Sequence, residues 1–349
     1  MNAEITPMTT AQRVLDVKNL TVDIDVPAGT LHAVSGIDFH VDQGETLCIV
    51  GESGCGKSIT SLAVMNLLPK KAKLNADRMT LQGRDLLTMK PNELAKLRGD
   101  RLCMIFQDPM TSLNPVYTVG DQLEEVYIHH GKGNRREAAE RAEFLLEKVG
   151  ITSPKSRLIQ FPHQLSGGLR QRIMIAMTLM CDPDLIIADE PTTALDVTIQ
   201  AQILHVLRNL QREFNTAMIL ITHDLGVVAR VADRVAVMYA GRFVETGTAM
   251  EIFEQPTHPY TQGLMACIPQ PGTDVHHGRL GSIPGIVPSL VGEMDGCMFR
   301  NRCVSVREAC TKGTIEMRNL GPERGYRCVM SVEECMKKAQ IEMLHQVAS

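Results

Sequence analysis

Residues 13–50 have the alternation of hydrophobic and polar positions that is typical of β-strands. The segment RVLDVKNLTVDIDV is followed by LHAVSGIDFHVDQG and by the apolar run ETLCIV, which Gly44 and Gly51 bound. The next segment, KSITSLAVMNLLP, has apolar residues at helical spacing and stops at Pro69. The pattern therefore predicts a strand, a glycine-rich loop and a helix in direct succession.

Further along the chain, short apolar runs alternate with helical stretches. Residues 79–86 and 101–106 are predicted strands, and the charged pattern over 117–160 predicts a helical insertion. The runs DLIIADE and AMILITHD are separated by the helical stretch TIQAQILHVLRNLQREF, and RVAVMYAGRFVETG predicts a final hairpin that turns at Ala240-Gly241. Strands that alternate with helices indicate parallel pairing in an α/β sheet.

The composition changes after Pro256 to Pro, Gly and Cys with little periodicity, so we place a domain boundary near residue 255. Five of the ten cysteines crowd the last 53 residues: Cys297, Cys303, Cys310, Cys328 and Cys335. In a reducing compartment such a cluster indicates metal binding before it indicates disulfides. The other five are scattered, as small apolar side chains in a core usually are.

Length and charge restrict the class of protein. A chain of 349 residues is expected to form one large domain with an extension. Its net charge of −4 argues against broad electrostatic binding to nucleic acid. The sequence contains no apolar run of the roughly 18 residues that a membrane span needs, and the N-terminus MNAEITPMTTAQ lacks the features of a signal peptide. We therefore expect a cytoplasmic protein, so that any membrane process it serves needs other chains in the bilayer.

A phosphate-binding loop is predicted at 51–58, where GESGCGKS fits the pattern G-x-x-x-x-G-K-[ST] between a strand and a helix. Its backbone N–H groups can converge on an anion at the positive end of the following helix. Lys57 can reach the β- and γ-phosphates, and the Ser58 hydroxyl can ligate Mg²⁺. A chance glycine-rich turn is the alternative, which the strand–helix context disfavours. The predicted nucleotide-binding residues are Gly51, Glu52, Ser53, Gly54, Cys55, Gly56, Lys57 and Ser58.

Two carboxylates end the apolar strand LIIADE. Adjacent strand residues face opposite ways, so Asp189 is assigned to the Mg²⁺ shell and Glu190 to polarising the attacking water. His223 ends the next apolar run and is predicted to sense the γ-phosphate. The alternatives to these catalytic roles are that Asp189 and Glu190 are surface acids that end a strand and that His223 is structural.

The segment LSGGLRQR at 165–172 resembles the signature motif of the ABC (ATP-binding cassette) family, and it lies between the phosphate loop and the acidic strand as in that family. Ser166, Gly167 and Gly168 precede an apparent helix, so they form a second anion site at a helix N-terminus, where Ser166 also suits an N-cap. The resemblance implies a head-to-tail dimer in which the signature of one subunit completes the ATP site of the other.

Other ABC elements follow in order. Gln107 resembles the Q-loop glutamine, Asp196 of TALD the D-loop aspartate, and His223 the H-loop histidine. The resemblance covers 13–255 and implies an α/β, ABC-type P-loop NTPase with a RecA-like core, an antiparallel β subdomain and a helical subdomain at about 110–180. That helical subdomain would receive a coupling helix from a membrane partner. Where many ABC ATPases stack adenine on an aromatic residue, this chain offers only Val26, Pro27, Ala28 and His32.

Finer features resemble the ATPase subunits of dipeptide and oligopeptide permeases: FQDPMTSLNP, FPHQLSGG, ADEPTTALDVTIQAQIL and PTHPYTQGL. This resemblance implies an ATP-hydrolysing subunit of a peptide importer on the cytoplasmic face of a bacterial inner membrane. The implied partners are two integral membrane permease subunits, a second and non-identical ABC ATPase, and, indirectly, an extracytoplasmic solute-binding protein. No nucleic-acid partner is expected.

The Cys-rich extension over 256–349 includes GCMFRNRC, which resembles the C-terminal extension of peptide-importer ATPases, where four cysteines hold a [4Fe-4S] cluster. On that resemblance the cluster ligands are Cys297, Cys303, Cys310 and Cys328, with Cys335 as an alternative last ligand. The spacing alone contains no C-x-x-C pair, so zinc and unligated thiols stay open as alternatives.

Three rival functions remain at this point. One is an importer of another solute, such as nickel, a sugar or an antimicrobial peptide, because the solute does not contact an ATPase subunit. Another is an ABC ATPase that acts on DNA or ribosomes, although neither a coiled-coil insertion nor a second cassette is seen in the sequence. The third is a regulatory nucleotide-binding module without turnover, which the presence of both Glu190 and His223 disfavours.

Overall fold

A computed structural model describes residues 12–108, 112–193, 195–268, 283–292 and 295–336. Four parts of the sequence interpretation lie partly or wholly outside these ranges. They are the N-terminal stretch used to argue against a signal peptide, residues 109–111 of the FQDPMTSLNP segment, Ala194 of TALD, and residues 269–282, 293–294 and 337–349 of the Cys-rich extension.

Within the described ranges the chain forms two β-sheets and a set of helices. The strands are β1 (Arg13–Val26), β2 (Gly29–Asp42), β3 (Thr46–Val50), β4 (Ala72–Asn75), β5 (Arg78–Leu81), β6 (Arg84–Asp85), β7 (Leu102–Ile105), β8 (Leu185–Asp189), β9 (Ala217–Thr222), β10 (Arg234–Tyr239), β11 (Arg242–Thr248), β12 (Arg318–Asn319) and β13 (Gly325–Tyr326). The helices are α1 (Lys57–Val64), α2 (Pro91–Leu97), α3 (Val119–His129), α4 (Arg135–Lys148), α5 (Pro154–Leu158), α6 (Gly167–Thr178), α7 (Val197–Glu213), α8 (Leu225–Val231), α9 (Ala249–Glu254) and α10 (Pro259–Ala266).

The larger sheet carries the predicted site. Its strand order is β12-β13-β11-β10-β3-β9-β8-β7, and the five strands from β10 to β7 are parallel. Every residue of β3, β8 and β9 is buried, because helices or the second sheet cover both faces. Successive residues of β3 alternate between two hydrophobic clusters, with Cys48 and Val50 on one face and Leu47 and Ile49 on the other. The prediction of a parallel α/β sheet is confirmed.

The smaller sheet is antiparallel throughout, in the order β2-β1-β5-β6, with β4 also paired to β1. Its inner face buries Val17, Val22 and Val34 in the same cluster as Leu47 and Ile49 of the parallel sheet. The predicted strand at 79–86 is a hairpin instead of one strand, because the chain turns at Gln82 and Gly83, both with positive φ.

Helices α3 to α6 form the helical insertion that the sequence predicts between β7 and β8. Thr118 and Asn134 cap α3 and α4 by accepting hydrogen bonds from backbone N–H groups of the first turn. Leu145, Ile173 and Ile175 join the buried cluster on that face of the parallel sheet. Among the described helices, none is both long and apolar enough to cross a bilayer.

The segment beyond residue 255 packs against the parallel sheet. Strand β13 pairs with β11, so Tyr326 lies opposite Glu245. Helix α10 was missed by the sequence analysis, which found little periodicity here; Pro259 begins this helix and His258 caps it. The predicted boundary near residue 255 stays a prediction.

The buried cap of α10 makes stability depend on pH. Burial lowers the pKa of His258 to about 3, and its Nδ1 accepts the Tyr260 N–H at 3.0 Å. Below about pH 6.5 the histidine takes up a proton in the unfolded chain but not in the folded one, so protonation favours unfolding. The contribution of neutral His258 to the unfolding free energy is therefore fully present above that pH and is lost as the pH falls toward 3. Between about pH 7.5 and pH 5 we expect wild type to lose about 2 kcal/mol more unfolding free energy than His258→Asn, which keeps a capping acceptor. Denaturant titrations at both pH values measure this difference, and equal losses would contradict it.

Candidate functional site

The predicted phosphate loop connects the end of β3 to the start of α1, and its glycines are required by the backbone path. Gly51 has φ 156°, and a Cβ there would lie 2.2 Å from the carbonyl oxygen of Met238. Gly56 has φ 109°, and a Cβ there would lie 2.4 Å from the carbonyl oxygen of Ala33. Any side chain at either position would push the loop away from β10 and β2, so the tight curl depends on glycine.

Lys57 is 4% exposed and folds back over the loop. Its Nζ donates to the carbonyl oxygens of Gly51 at 2.7 Å and Glu52 at 2.9 Å. Ser53 and Gly54 are exposed at the tip of the loop. Cys55 is buried, and its carbonyl oxygen accepts a hydrogen bond from the Gly241 N–H at 2.8 Å. Burial raises the pKa of the Cys55 thiol, so it acts as an apolar side chain.

Ser58 and Asp189 meet beneath the loop. The Ser58 hydroxyl donates to Asp189 Oδ1 at 3.0 Å, although the two residues are 131 positions apart. Asp189 is 6% exposed; burial raises the pKa of its carboxyl group, and the Ser58 hydrogen bond opposes that rise. A hydroxyl and a carboxylate so placed are the hard oxygen donors that Mg²⁺ prefers.

Glu190 lies at the centre of a second polar cluster. Its carboxylate accepts from Gln107 Nε2 at 3.1 Å and from Thr193 Oγ1 at 2.9 Å, and it lies 3.4 Å from His223 Nδ1. Its φ of 45° is unusual for a residue with a side chain, and its N–H donates to the Ile221 carbonyl at 2.9 Å. The chain therefore leaves the strand direction directly after Asp189, and the two acids contact different partners, as the sequence predicts.

Strand order explains this convergence. The strands β3, β9, β8 and β7 are neighbours in that order and all run in parallel. Their carboxyl ends lead respectively into the phosphate loop, His223, the two acids and Gln107. The residues predicted for nucleotide chemistry therefore lie along one edge of the sheet, where ligands of open α/β sheets bind.

The second predicted anion site lies at the start of α6. Ser166 is the exposed N-cap of this helix, but its hydroxyl makes no capping hydrogen bond. Gly167 and Gly168 form the first turn, and a Cβ on Gly168 would lie 3.2 Å from Ile199. The helix N-terminus thus presents N–H groups and a hydroxyl outward, as an anion from another molecule would need.

Two further sequence assignments have a defined position. Asp196 is the exposed N-cap of α7 and likewise makes no side-chain capping bond. His32, one of the residues in the adenine region, has its Nδ1 2.6 Å from Asp23 Oδ1, and Val26 to Gly29 form the turn between β1 and β2.

The prediction of a [4Fe-4S] cluster on Cys297, Cys303, Cys310 and Cys328 is wrong, and the zinc alternative fails with it. In the part of the chain that the structure describes, which includes all four residues and Cys335, no group of three or more His, Cys, Asp or Glu side chains can hold a metal ion. Burial raises the pKa of Cys297 to about 11, so without a metal this thiol is protonated at neutral pH.

Apolar packing accounts for the folding of the cysteine-rich segment. Tyr326, Cys328, Met330 and Cys335 form a buried cluster, and β13 extends the main sheet. A hydrogen bond with Cys335 lowers the pKa of Cys328 to about 7.

Three residues that contact the site were not found from the sequence. Thr193 donates to Glu190, and it lies within TALD, where only Asp196 was singled out. Tyr260 and Arg302 both contact Glu52 of the phosphate loop from 208 and 250 positions away. No spacing pattern relates residues so distant, so only the folded chain reveals them.

Comparisons with known families and proteins agree with this geometry. The family described as "ABC transporter" matches residues 34–193, and the one described as "Oligopeptide/dipeptide transporter, C-terminal region" matches 244–310. The Dipeptide transport ATP-binding protein DppD of Bacillus subtilis (strain 168) is 51% identical over 302 residues, which are 86% of this chain and 90% of that protein. The Oligopeptide transport ATP-binding protein OppD of the same organism is 52% identical over 83% of this chain and 81% of that protein.

Solved structures of ATP-binding cassettes are also similar. One is a dimeric, post-hydrolysis state of the cassette MJ0796 bound to ADP and Pi, with a TM-score of 0.58 and 26% identity over 67% of this chain and 98% of that chain. Another is cbiO1 from Clostridium perfringens, part of the transporter complex cbiONQ, with a TM-score of 0.60 and 28% identity over 70% of this chain and 92% of that chain.

Proposed function

This chain belongs to the ABC transporter family, among the dipeptide and oligopeptide transport ATP-binding proteins, and on that premise we propose that it hydrolyses ATP to drive the import of dipeptides or oligopeptides. The similarity to DppD extends over 90% of that protein. It therefore includes the phosphate loop and the acidic strand.

The observation that carries the proposal is the convergence of Asp189, Glu190 and His223 beside the phosphate loop. Glu190 is positioned by Gln107 and Thr193, so its carboxylate is held at the sheet edge where the γ-phosphate would lie. A carboxylate there can orient the attacking water and accept its proton. His223, 57% exposed and next to Glu190, can donate to the γ-phosphate.

The residues fit ATP and Mg²⁺. The loop can curl because it has glycine where a Cβ would clash with the carbonyl oxygens of Met238 and Ala33. Helix α1 adds the positive end of its dipole at the same place. Lys57 would exchange its carbonyl contacts for the phosphates, and Ser58 with Asp189 would hold the cation. When bound, Mg²⁺ neutralises the charge on the β- and γ-phosphate oxygens.

Closure of two subunits would complete each ATP site. The exposed start of α6, with Ser166, Gly167 and Gly168, would bind the triphosphate held by the phosphate loop of the partner. The dimeric MJ0796 cassette bound to ADP and Pi supports such pairing. Asp196, exposed at the start of α7, would lie at the same interface. We expect the partner to be a second, non-identical ABC ATPase.

Coupling to transport would use the helical region of α3 to α6. Its exposed large apolar residues include Val116, Tyr117 and Ile159, which offer a surface to a coupling helix of a membrane permease. We propose that the chain binds two permease subunits as a peripheral protein on the cytoplasmic face of the inner membrane. A solute-binding protein outside the membrane would deliver the peptide.

The test is uptake by reconstituted vesicles. The chain is combined with its permease subunits, its partner ATPase and the solute-binding protein, and uptake of a labelled dipeptide and a labelled oligopeptide is measured with and without ATP. We expect ATP-dependent uptake that Lys57→Ala abolishes, while Lys70→Ala, an exposed lysine outside the loop, leaves it unchanged.

Uptake of nickel or a sugar in place of either peptide would contradict the proposed solute. Absence of ATP hydrolysis by the complete assembly would contradict the proposed activity itself.

A further inference from the structure

Glu52 of the phosphate loop is held by two side chains of the C-terminal segment. Its backbone N–H donates to the Tyr260 hydroxyl at 3.0 Å. Its carboxylate accepts from Arg302 Nη1 at 2.5 Å and Nη2 at 2.8 Å, so the pair is bidentate. Because the Glu52 carbonyl also accepts from Lys57 Nζ, this residue joins the C-terminal segment to the lysine expected to bind phosphate.

Arg302 is itself fixed in one orientation. Its side chain is 3% exposed, and its Nε donates to the Pro284 carbonyl at 2.9 Å. Its Nη2 also donates to the Ile283 carbonyl at 2.9 Å. A planar guanidinium with carbonyl oxygens on one side and a carboxylate on the other has little freedom to move, and a lysine ammonium cannot reproduce this pattern.

An aromatic cluster supports both contacts from behind. The ring centroids of Tyr239 and Tyr260 are 4.6 Å apart, and Phe299 lies 5.3 Å from each. The guanidinium carbon of Arg302 lies 5.8 Å from the Tyr239 ring centroid, within cation–π range. Tyr239 belongs to β10, whereas Tyr260 and Phe299 follow residue 255, so the cluster fastens the C-terminal segment to the sheet next to the loop.

We propose that Arg302 and Tyr260 are positioning residues for ATP binding, through which the C-terminal segment holds the phosphate loop in its curled form. This inference rests on the proposed function, because it takes ATP as the ligand of the loop. A loop held by contacts outside itself loses less conformational freedom when the nucleotide binds, so affinity is raised without direct contact with ATP. Loosening of the C-terminal segment would then weaken nucleotide binding.

The experiment compares ATP binding and hydrolysis in full-length variants. The dissociation constant for Mg-ATP is measured by calorimetry on the purified chain, and KM and kcat are measured on the assembled transporter. Arg302→Ala is expected to raise both the dissociation constant and KM about tenfold, with a much smaller change in kcat. Arg302→Lys should restore only part of the ATP affinity, because a lysine ammonium cannot donate two parallel hydrogen bonds to the Glu52 carboxylate as the guanidinium does. Tyr260→Phe keeps the ring packing but removes the acceptor, so a rise of about threefold is expected.

Arg307→Ala is the matched control, since Arg307 lies in the same segment and pairs with Glu334 at the surface. The inference is overturned if folded Arg302→Ala binds ATP within about twofold of this control. If Arg302→Ala does not fold, Glu52→Gln and Tyr260→Phe decide by the same criterion. Calorimetry requires neither peptide nor turnover, so a failure of peptide import alone leaves this inference standing.

Discussion

Glu190→Gln is expected to lower ATP hydrolysis by about 10² to 10⁴-fold while ATP binding is retained. The amide oxygen can still accept from Gln107 and Thr193, so the geometry of the cluster is kept. What the substitution removes is the group that takes a proton from the attacking water. Without hydrolysis the two subunits should remain closed around ATP, and gel filtration with Mg-ATP should then recover a stable complex.

The matched control for this variant is Glu254→Gln, an exposed acid on α9 far along the chain from the site. It should hydrolyse ATP at the wild-type rate. If Glu190→Gln also hydrolysed ATP at that rate, Glu190 could not be the residue that activates water, and the role would pass to another group.

Ser166→Asp is expected to lower ATP hydrolysis by the assembled transporter about 10²-fold or more. Aspartate is as good an N-cap as serine, and a negative charge suits a helix N-terminus, so α6 should fold at least as well. The same charge would repel the triphosphate that a partner subunit brings to this loop. The expected result is therefore a folded chain whose own phosphate loop binds ATP but whose assembly does not turn it over.

Asn134→Asp provides the comparison, because Asn134 is the exposed N-cap of α4 and aspartate caps equally well. This variant adds the same charge at a helix start away from the expected interface. Steady-state ATPase rates and thermal unfolding of both variants distinguish a loss of ATP turnover from a loss of stability. A fully active Ser166→Asp would show that the loop at 165–168 does not contact nucleotide. That result would also contradict the proposed head-to-tail dimer.

Local sequence patterns identified segments that the structure brings together at one edge of the parallel sheet. The glycine loop, the strand ending in Asp189 and Glu190, and the strand before His223 each lie in one short segment, and the structure brings these segments to one sheet edge. Period-2 hydrophobic patterns and tight glycine turns are set by neighbouring residues, so they can be recognised without knowledge of the fold. The roles assigned to these residues stay predictions until the variants are measured.

The cysteine-rich segment shows where sequence reasoning failed. Five cysteines in one segment favoured a metal centre, yet the described residues contain no group arranged to bind one. Ligand spacing along the chain does not fix the positions of the ligands in space. Helix α10 was missed because its segment shows little apolar periodicity, and its buried residues are the adjacent Tyr260 and Thr261.

The sequence by itself determined the order of the nucleotide-binding elements, the parallel sheet and the family to which the chain belongs. The strands, helices and glycine loops depend on hydrophobic period and backbone geometry within a few residues, and the motifs that indicate the family are equally short. Only the tertiary structure decided that Arg302 and Tyr260 contact Glu52 and that the C-terminal cysteines form no metal centre. Contacts between residues more than 200 positions apart depend on how the sheets and helices pack, and that information is not present in any single segment.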